Sequence, residues 1–420
     1  MSKRIAIDLT PILSGGENGG AKIFVLELVK NLGLMLPNTT FILLTKEVSH
    51  HELSILDNQN ISRYLIADLN EKIDLRKVSE AFKLICRRLI GCLSDKTRGR
   101  IKRVVKKFNF LGRRTILRPS ILTGLNIDLL FCPFTRPTFY SEGIPTVSTV
   151  YDLQYKKYPE FFQFNDAVQR AETFELASKY SSRLVAISNF TRQEILDSGM
   201  TPSSKIKTIY LRMASRGIAC HSRDENFLLR HGINKGLYLL YPANFWKHKN
   251  HELLLMAFAQ ARYSGLNSQI KLVCTGVLDD RGKWLRNAVE SLGLKENVIF
   301  PGFVSDTEYA QLLINSRGLV FPSLYEGFGL PIIEAMAAGV PVACGNLTSL
   351  PEIAGDAAIL FDPRKPDEIK ASIISLVNDE KLVTTLKRRG LERASEFLDA
   401  KKMAFEYVEV FQKLANNKFT

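Results

Sequence analysis

The chain has 420 residues, 57 Lys and Arg against 43 Asp and Glu, and a formal net charge of +14; 45% of it is hydrophobic. That length predicts two or three domains with substantial cores, and no run approaches the roughly 20 apolar residues of a membrane-spanning helix. The start MSKRIAIDLT reads as a strand and not a signal sequence, so a cytoplasmic location is expected. The six cysteines lie scattered without a Cys-x-x-Cys pair or a histidine cluster, which argues against structural zinc and a disulfide framework.

Arg4 to Asp8 predicts a first strand. Gly15, Gly16, Gly19 and Gly20 follow in a loop, and Ile23, Leu26, Leu28 and Val29 begin an amphipathic helix. The glycines do not spell Gly-x-Gly-x-x-Gly, so a nicotinamide-binding fingerprint is unsupported. After the strand Phe41 to Thr45 comes a basic stretch, residues 83–118, with thirteen Lys or Arg and one acid, Asp95. Nucleic acid is disfavoured as its partner, because no zinc-finger, RNP or helix-turn-helix pattern accompanies it. Its interleaved apolar residues suit a helix on anionic lipid headgroups; a solvated basic insertion is the other reading.

Strands Ile127 to Phe131 and Val147 to Val150 follow, the second ending at Tyr151-Asp152. Ligands in doubly wound folds sit beyond the carboxyl ends of strands, which places this pair at a cleft. Asp152 there suits a sugar hydroxyl or a cation, or caps the strand end. A helix from Asp166, the strand Arg183 to Ile187, a helix capped by Ser188 or Asn189, and the strand Ile206 to Tyr210 complete the first half. The loose run 211–236 reads as a linker.

The second half restarts with Leu237 to Tyr241 and PANFWKHKNHELLLMAFAQA. Lys247 and Lys249 stand before an amphipathic helix, where cations are unfavourable unless an anion binds. Ile270 to Thr275 and the segment from Val298 are further strands, and Tyr309, Leu312 and Leu313 are core positions of the next helix. Arg317 to Phe321 then leads to Glu326, Gly327-Phe328-Gly329, and a helix opened by Pro331 that carries Glu334 and ends at Gly339-Val340-Pro341. The unpaired N–H groups of such a helix start suit a phosphate or diphosphate, and proline is tolerated there. An anion site flanked by two acids suggests a sugar nucleotide. Ser349 to Glu352 reads as a turn, and helices are expected at 366–379 and 381–416.

The stretch SLYEGFGLPIIEAMAAGVPV, with its two glutamates, closely resembles the signature of family-4 retaining glycosyltransferases. The resemblance implies an α/β fold of GT-B architecture: two Rossmann-like doubly wound domains facing a central cleft. The expected division is 1–212 for the acceptor side, with the basic insertion 83–118, and 213–420 for the donor side, the terminal helix returning to the first domain. It further implies donor sugar hydroxyls on Glu326 and ribose on Glu334, neither as covalent nucleophile. The donor diphosphate would lie on Lys249, Lys247, Asn244 and the backbone of Gly327, Phe328, Gly329 and Leu330. The glycine loop (Gly15, Gly16, Gly19, Gly20) would line the cleft. Two positions depart from the pattern: Tyr151, beside Asp152, replaces a histidine, and Asn244 replaces an arginine. Glu326, Asp152 and Tyr151 form the expected catalytic set, without metal or cofactor.

YPANFWKHKN and VYDLQYKKYPEFF resemble segments of bacterial surface-polysaccharide enzymes, mannosyltransferase-like ones among them. GDP-mannose therefore ranks first as donor, with a saccharide acceptor, lipid-linked if 83–118 meets an anionic membrane, as in lipopolysaccharide synthesis. The rival readings are a GT-B-fold nucleotide-sugar epimerase and a non-enzymatic basic lipid- or nucleic-acid-binding protein.

Overall fold

The computed structural model describes residues 3–14, 19–66, 120–213 and 226–415. Gly15, Gly16 and the basic stretch 83–118 lie outside them. Two all-parallel sheets organise the chain. The first carries β1 (Arg4–Asp8), β2 (Thr40–Thr45), β3 (Ile61–Leu65), β4 (Leu129–Cys132), β5 (Thr146–Val150), β6 (Arg183–Ala186) and β7 (Ile206–Thr208), in the order β3-β2-β1-β4-β5-β6-β7. Its inner strands are buried along almost their whole length, as RIAID and TFILLT show, because helices cover both faces and leave no polar alternation to read. Ala6 pairs with Ile42 on one side and Leu130 on the other. Neither β3 nor the last strand of the second sheet is among the strands expected from sequence: the first, Ile-Ser-Arg-Tyr-Leu, mixes polar and apolar residues, and the second, Ala-Ile-Leu-Phe, is only four residues long.

The second sheet carries β8 (Tyr238–Pro242), β9 (Lys271–Thr275), β10 (Val298–Gly302), β11 (Gly318–Phe321), β12 (Val342–Gly345) and β13 (Ala358–Phe361), ordered β10-β9-β8-β11-β12-β13. The longer helices are α1 (Gly19–Met35), α2 (Phe164–Tyr180), α3 (Asn189–Asp197), α4 (His251–Tyr263), α5 (Asp280–Ser291), α6 (Asp306–Ile314), α7 (Leu330–Ala337), α8 (Pro366–Asn378), α9 (Glu380–Ser395) and α10 (Ala400–Leu414). The strand order reverses between β1 and β4 in one sheet and between β8 and β11 in the other. Open α/β sheets bind ligands beyond the strand ends at such switch points, and the two switch points face each other across a cleft.

The last helix, α10, leaves the second domain and packs on α1. Tyr407 is fully buried there, its ring 5.3 Å from Phe131 and 6.3 Å from Phe24, with its hydroxyl 3.0 Å from Thr149 Oγ1. A buried phenol is retained without penalty when its oxygen finds such a partner. Arg212 reinforces the crossing through Glu406, at 2.9 Å.

Candidate functional site

The cleft encloses a cavity of about 1060 Å³ lined from both domains. Each wall is built from segments that leave the carboxyl ends of strands: Gly19 to Ala21 after β1, Phe134 and Thr135 after β4, Tyr151 to Tyr155 after β5, Pro242 to Lys249 after β8, and Tyr325 to Leu330 after β11.

On the second-domain wall, Lys249 Nζ lies 2.5 Å from Glu326 Oε1, both side chains largely buried. Two features hold Lys249 in place. Its carbonyl accepts from the Tyr241 hydroxyl at 2.6 Å, and Asn250 follows in the left-handed region (φ 62°, ψ 36°). Asn250 is buried and donates from Nδ2 to the carbonyls of Pro322 (3.1 Å) and Pro363 (2.7 Å), bolting the start of α4 to the loops after β11 and β13. Asparagine tolerates this backbone better than most residues. The glutamate is anchored through its backbone: its N–H donates to Thr348 Oγ1 at 3.1 Å and its carbonyl accepts from Ser349 Oγ at 2.9 Å.

After Glu326 the chain turns through Gly329 (φ 104°, ψ 51°) into α7, with Pro331 in the first turn. A Cβ at Gly329 would meet Leu350 Cδ2 at 2.8 Å, so the turn needs glycine for space as well as for backbone conformation. The Phe328 ring is buried in a cluster with Tyr210 and Phe397. Glu334 is 1% exposed, and Tyr309 donates its hydroxyl to Glu334 Oε2 at 2.7 Å. Tyr309, read from sequence as core, thus also orients the deeper of the two acids.

Asn244 lines the cavity. Its Oδ1 accepts from the Val277 N–H at 3.2 Å, tying the β8 loop to the β9 loop. Lys247 stands exposed at the rim. His248 and His251 are both held neutral: burial foremost, with the Lys249 charge adding to it, pushes them down to about 2 and about 3.

On the first-domain wall, Asp152 accepts from the Gln154 N–H at 3.1 Å. Burial raises its carboxyl above the ordinary value, and the nearby Glu326 carboxylate adds to the rise. Tyr151 does not present its hydroxyl to the open cleft: that atom is buried with no hydrogen-bond partner among the described residues, and the ring packs edge-on to Phe24 at 6.1 Å. What Tyr151 gives the cleft is its backbone carbonyl, which touches Gly327 and accepts from Thr191 Oγ1 at 3.1 Å. Of the four loop glycines, Gly20 is seen at the cleft, 3.0 Å from Leu330 Cδ1 once a Cβ is built on it, and Gly19 opens α1 beside it.

The domains also meet through residues that sequence reading left aside. Glu352 Oε1 and Oε2 accept from the backbone N–H groups of Asn189 (2.8 Å) and Phe190 (2.9 Å), at the start of α3, and Oε1 takes the Tyr210 hydroxyl at 2.6 Å. A carboxylate at a helix N-terminus is favourable, but this one comes from the other domain. Tyr325 donates to Glu194 and accepts from the Leu153 N–H at 3.2 Å. No local pattern signals these pairs, since the partners lie far apart in the chain.

Two Rossmann-like domains meeting at such a cleft are the GT-B class of glycosyltransferase fold. Among solved structures, Anabaena HepE in complex with UDP and glucose matches with a TM-score of 0.70 at 17% identity, over 98% of this chain and 100% of that one, a likeness of fold. Residues 225–393 match the family model of glycosyl transferases group 1. The chain resembles bacterial mannosyltransferases. It is 34% identical over 254 residues to O-antigen chain mannosyltransferase B of Escherichia coli, covering 60% of this chain and 66% of the relative. To the serotype-specific mannosyltransferase WbdA of Escherichia coli it is 30% identical over 161 residues, 38% of this chain and 20% of that one. The matched stretch thus spans less than two thirds of either relative. Among the described residues, no helix is long and apolar enough to cross a membrane.

Proposed function

We propose that the chain transfers a hexose, with mannose first, from a nucleoside diphosphate donor to a saccharide hydroxyl in surface-polysaccharide synthesis, with retention at the anomeric carbon. The observation that carries this reading is the Lys249–Glu326 pair standing beside the Gly327-to-Leu330 turn and the start of α7, inside a cavity shared by two switch points. Departure of a nucleoside diphosphate puts negative charge on its distal phosphate. Lys249, Lys247 and the N–H groups of the turn offset that charge, and fixed donors of this kind lower the barrier without reorganising. Glu326, braced by Lys249, takes hydroxyls of the donor sugar; Glu334 takes the ribose. The acceptor proton passes to the phosphate, on the face from which the leaving group departs, and no metal is needed. The relatives named mannosyltransferases support GDP-mannose as donor. A lipid-linked acceptor gives the basic stretch 83–118 a place on an anionic membrane.

The test is transfer from GDP-mannose, UDP-glucose and other sugar nucleotides to lipid-linked saccharides, with and without EDTA. Glu326→Gln and Lys249→Ala should each lower turnover by about 100-fold. Consumption of donor without acceptor would favour an epimerase, and unchanged turnover in both variants would sink the assignment.

A further inference from the structure

Among the described residues lining the cavity, the first domain contributes one cation, Arg170, on the inward side of α2. Its guanidinium is held from two directions. Nε donates to Asp166 Oδ1 at 3.1 Å, one helical turn earlier, and the guanidinium carbon lies 4.9 Å from the centre of the Phe162 ring. A pair spaced i,i+4 on a helix is ordinarily a solvated surface feature worth a few tenths of a kcal/mol. Here both members line the cleft, and the Arg170 side chain is 48% exposed. The pair occupies one edge of the guanidinium fork. The two terminal nitrogens have no hydrogen-bond partner among the described residues.

Facing Arg170 on the second domain is the turn Trp246 to Lys249. The charge of Lys249 is already shared with Glu326 at 2.5 Å. His248 adds no charge, since it is held neutral, and Arg170 is itself one of the cations that keep it so. Asp152 also feels Arg170, which places the guanidinium between the catalytic wall of the first domain and the basic turn of the second.

We propose that Arg170 is a diphosphate-binding residue supplied across the cleft, its terminal nitrogens taking the distal phosphate of the nucleoside diphosphate. This rests on the transferase reading above and adds to it a residue from the opposite domain. The planar fork suits two phosphate oxygens at once, which a lysine ammonium does not. During transfer the bond from the anomeric carbon to the phosphate oxygen breaks, and its electron pair stays on that oxygen. The acceptor oxygen bonds to the same carbon, and its proton moves to a phosphate oxygen. Arg170 then faces the oxygen that gains charge. Because it belongs to the first domain, it reaches that position only while Gly327 sits against Tyr151 and Glu352 caps α3. An open cleft would bind donor without it.

The experiment is calorimetric titration of the full chain with three pairs, GDP and GMP, UDP and UMP, ADP and AMP, followed by the same titration of Arg170→Gln and Arg170→Lys with the pair that binds. The expected result is that Arg170→Gln loses about tenfold in affinity for the diphosphate while the monophosphate holds within about twofold, with Arg170→Lys between. In transfer assays, Arg170→Gln should lower kcat more than it raises KM for the donor. Equal weakening of diphosphate and monophosphate, or no weakening of either, overturns the proposal, and the thermal midpoint of each variant identifies one that misfolds; Arg170→Lys then decides. A wild-type chain that binds none of the three diphosphates overturns the transferase reading, and this proposal with it. One that binds a diphosphate through Arg170 and transfers no sugar overturns the transfer alone.

Discussion

Gly327 of the second domain lies against the carbonyl of Tyr151 of the first, so closely that a Cβ built on it would overlap that oxygen and stand 3.4 Å from Asp152 Cβ. The backbone at Gly327 is not left-handed, so a side chain is excluded by the neighbouring domain and not by local strain. Gly327→Ala should therefore leave each domain folded and push the two apart. We expect a larger radius of gyration by small-angle scattering and a transfer rate at least about 100-fold lower, since a displacement near 1 Å at a reacting centre costs that much. A wild-type scattering curve together with wild-type turnover would contradict the role given to this contact.

Glu352 acts on the same equilibrium from beside this contact: it holds Asn189 and Phe190, next to Thr191, whose hydroxyl bonds to the carbonyl of Tyr151. Its carboxylate satisfies two N–H groups of α3 and the Tyr210 hydroxyl, while Arg393 Nη2 holds the Glu352 carbonyl at 2.6 Å. Glu352→Ala should cost the closed arrangement about 1 to 2 kcal/mol, the usual loss for a helix cap, and Glu352→Gln less, because it keeps the acceptor and loses only the charge. Limited proteolysis of the interdomain region and scattering both report this, and equal behaviour of all three proteins would remove the contact from the account.

Asn250 separates backbone from side-chain effects. Asn250→Ala removes two hydrogen bonds to buried carbonyls and keeps a Cβ in the left-handed region, an expected loss of about 3 kcal/mol. Asn250→Gly removes the same bonds without the Cβ cost and should recover about 1 kcal/mol. The thermal midpoints of the three proteins give the comparison; alanine matching glycine would show that the backbone conformation is not costly here.

Asp8, at the carboxyl end of β1, gives a pH signature. It is 1% exposed and accepts from the N–H and hydroxyl of Thr10, at 3.1 and 2.6 Å, and burial raises its carboxyl from 3.8 to about 6. The folded chain thus holds this proton more tightly than the unfolded one. Its contribution is fully present below about pH 4 and is lost as pH rises towards 6. Asp8→Asn abolishes the change, so its stability relative to wild type should rise by up to about 3 kcal/mol across that interval. Any pH-independent cost of the amide leaves the slope untouched. Urea midpoints at pH 4, 5 and 7 measure the difference, and a pH-independent one would refute the account.

The GT-B fold was legible because parallel strands buried on both faces are written as short apolar runs, β1 and β8 among them, each followed by a turn and a helix. The β11 turn was legible for a further reason: Glu326, Gly327, Gly329, Pro331 and Glu334 lie within nine residues and are set by local geometry. Contacts between domains carry no such local mark. Glu352 reads as a turn residue until Asn189 is brought beside it, and nothing local to Arg170 marks it out from the other polar residues of its helix. Asn244 and Tyr151 occupy the positions that the resemblance assigns to ligand-binding residues, yet one ties two loops together and the other contributes its carbonyl. A motif gives position along the chain; only the packing gives the direction in which a side chain points.

The crossing of α10 onto α1 has a consequence for the order of assembly. Phe24 and Phe131 belong to elements made early in synthesis, yet the ring that fills the space between them, Tyr407, is made hundreds of residues later. The half of the molecule that leaves the ribosome first is the half whose interior is sealed last, and until residues 400–414 emerge it holds an open apolar hollow where they will lie.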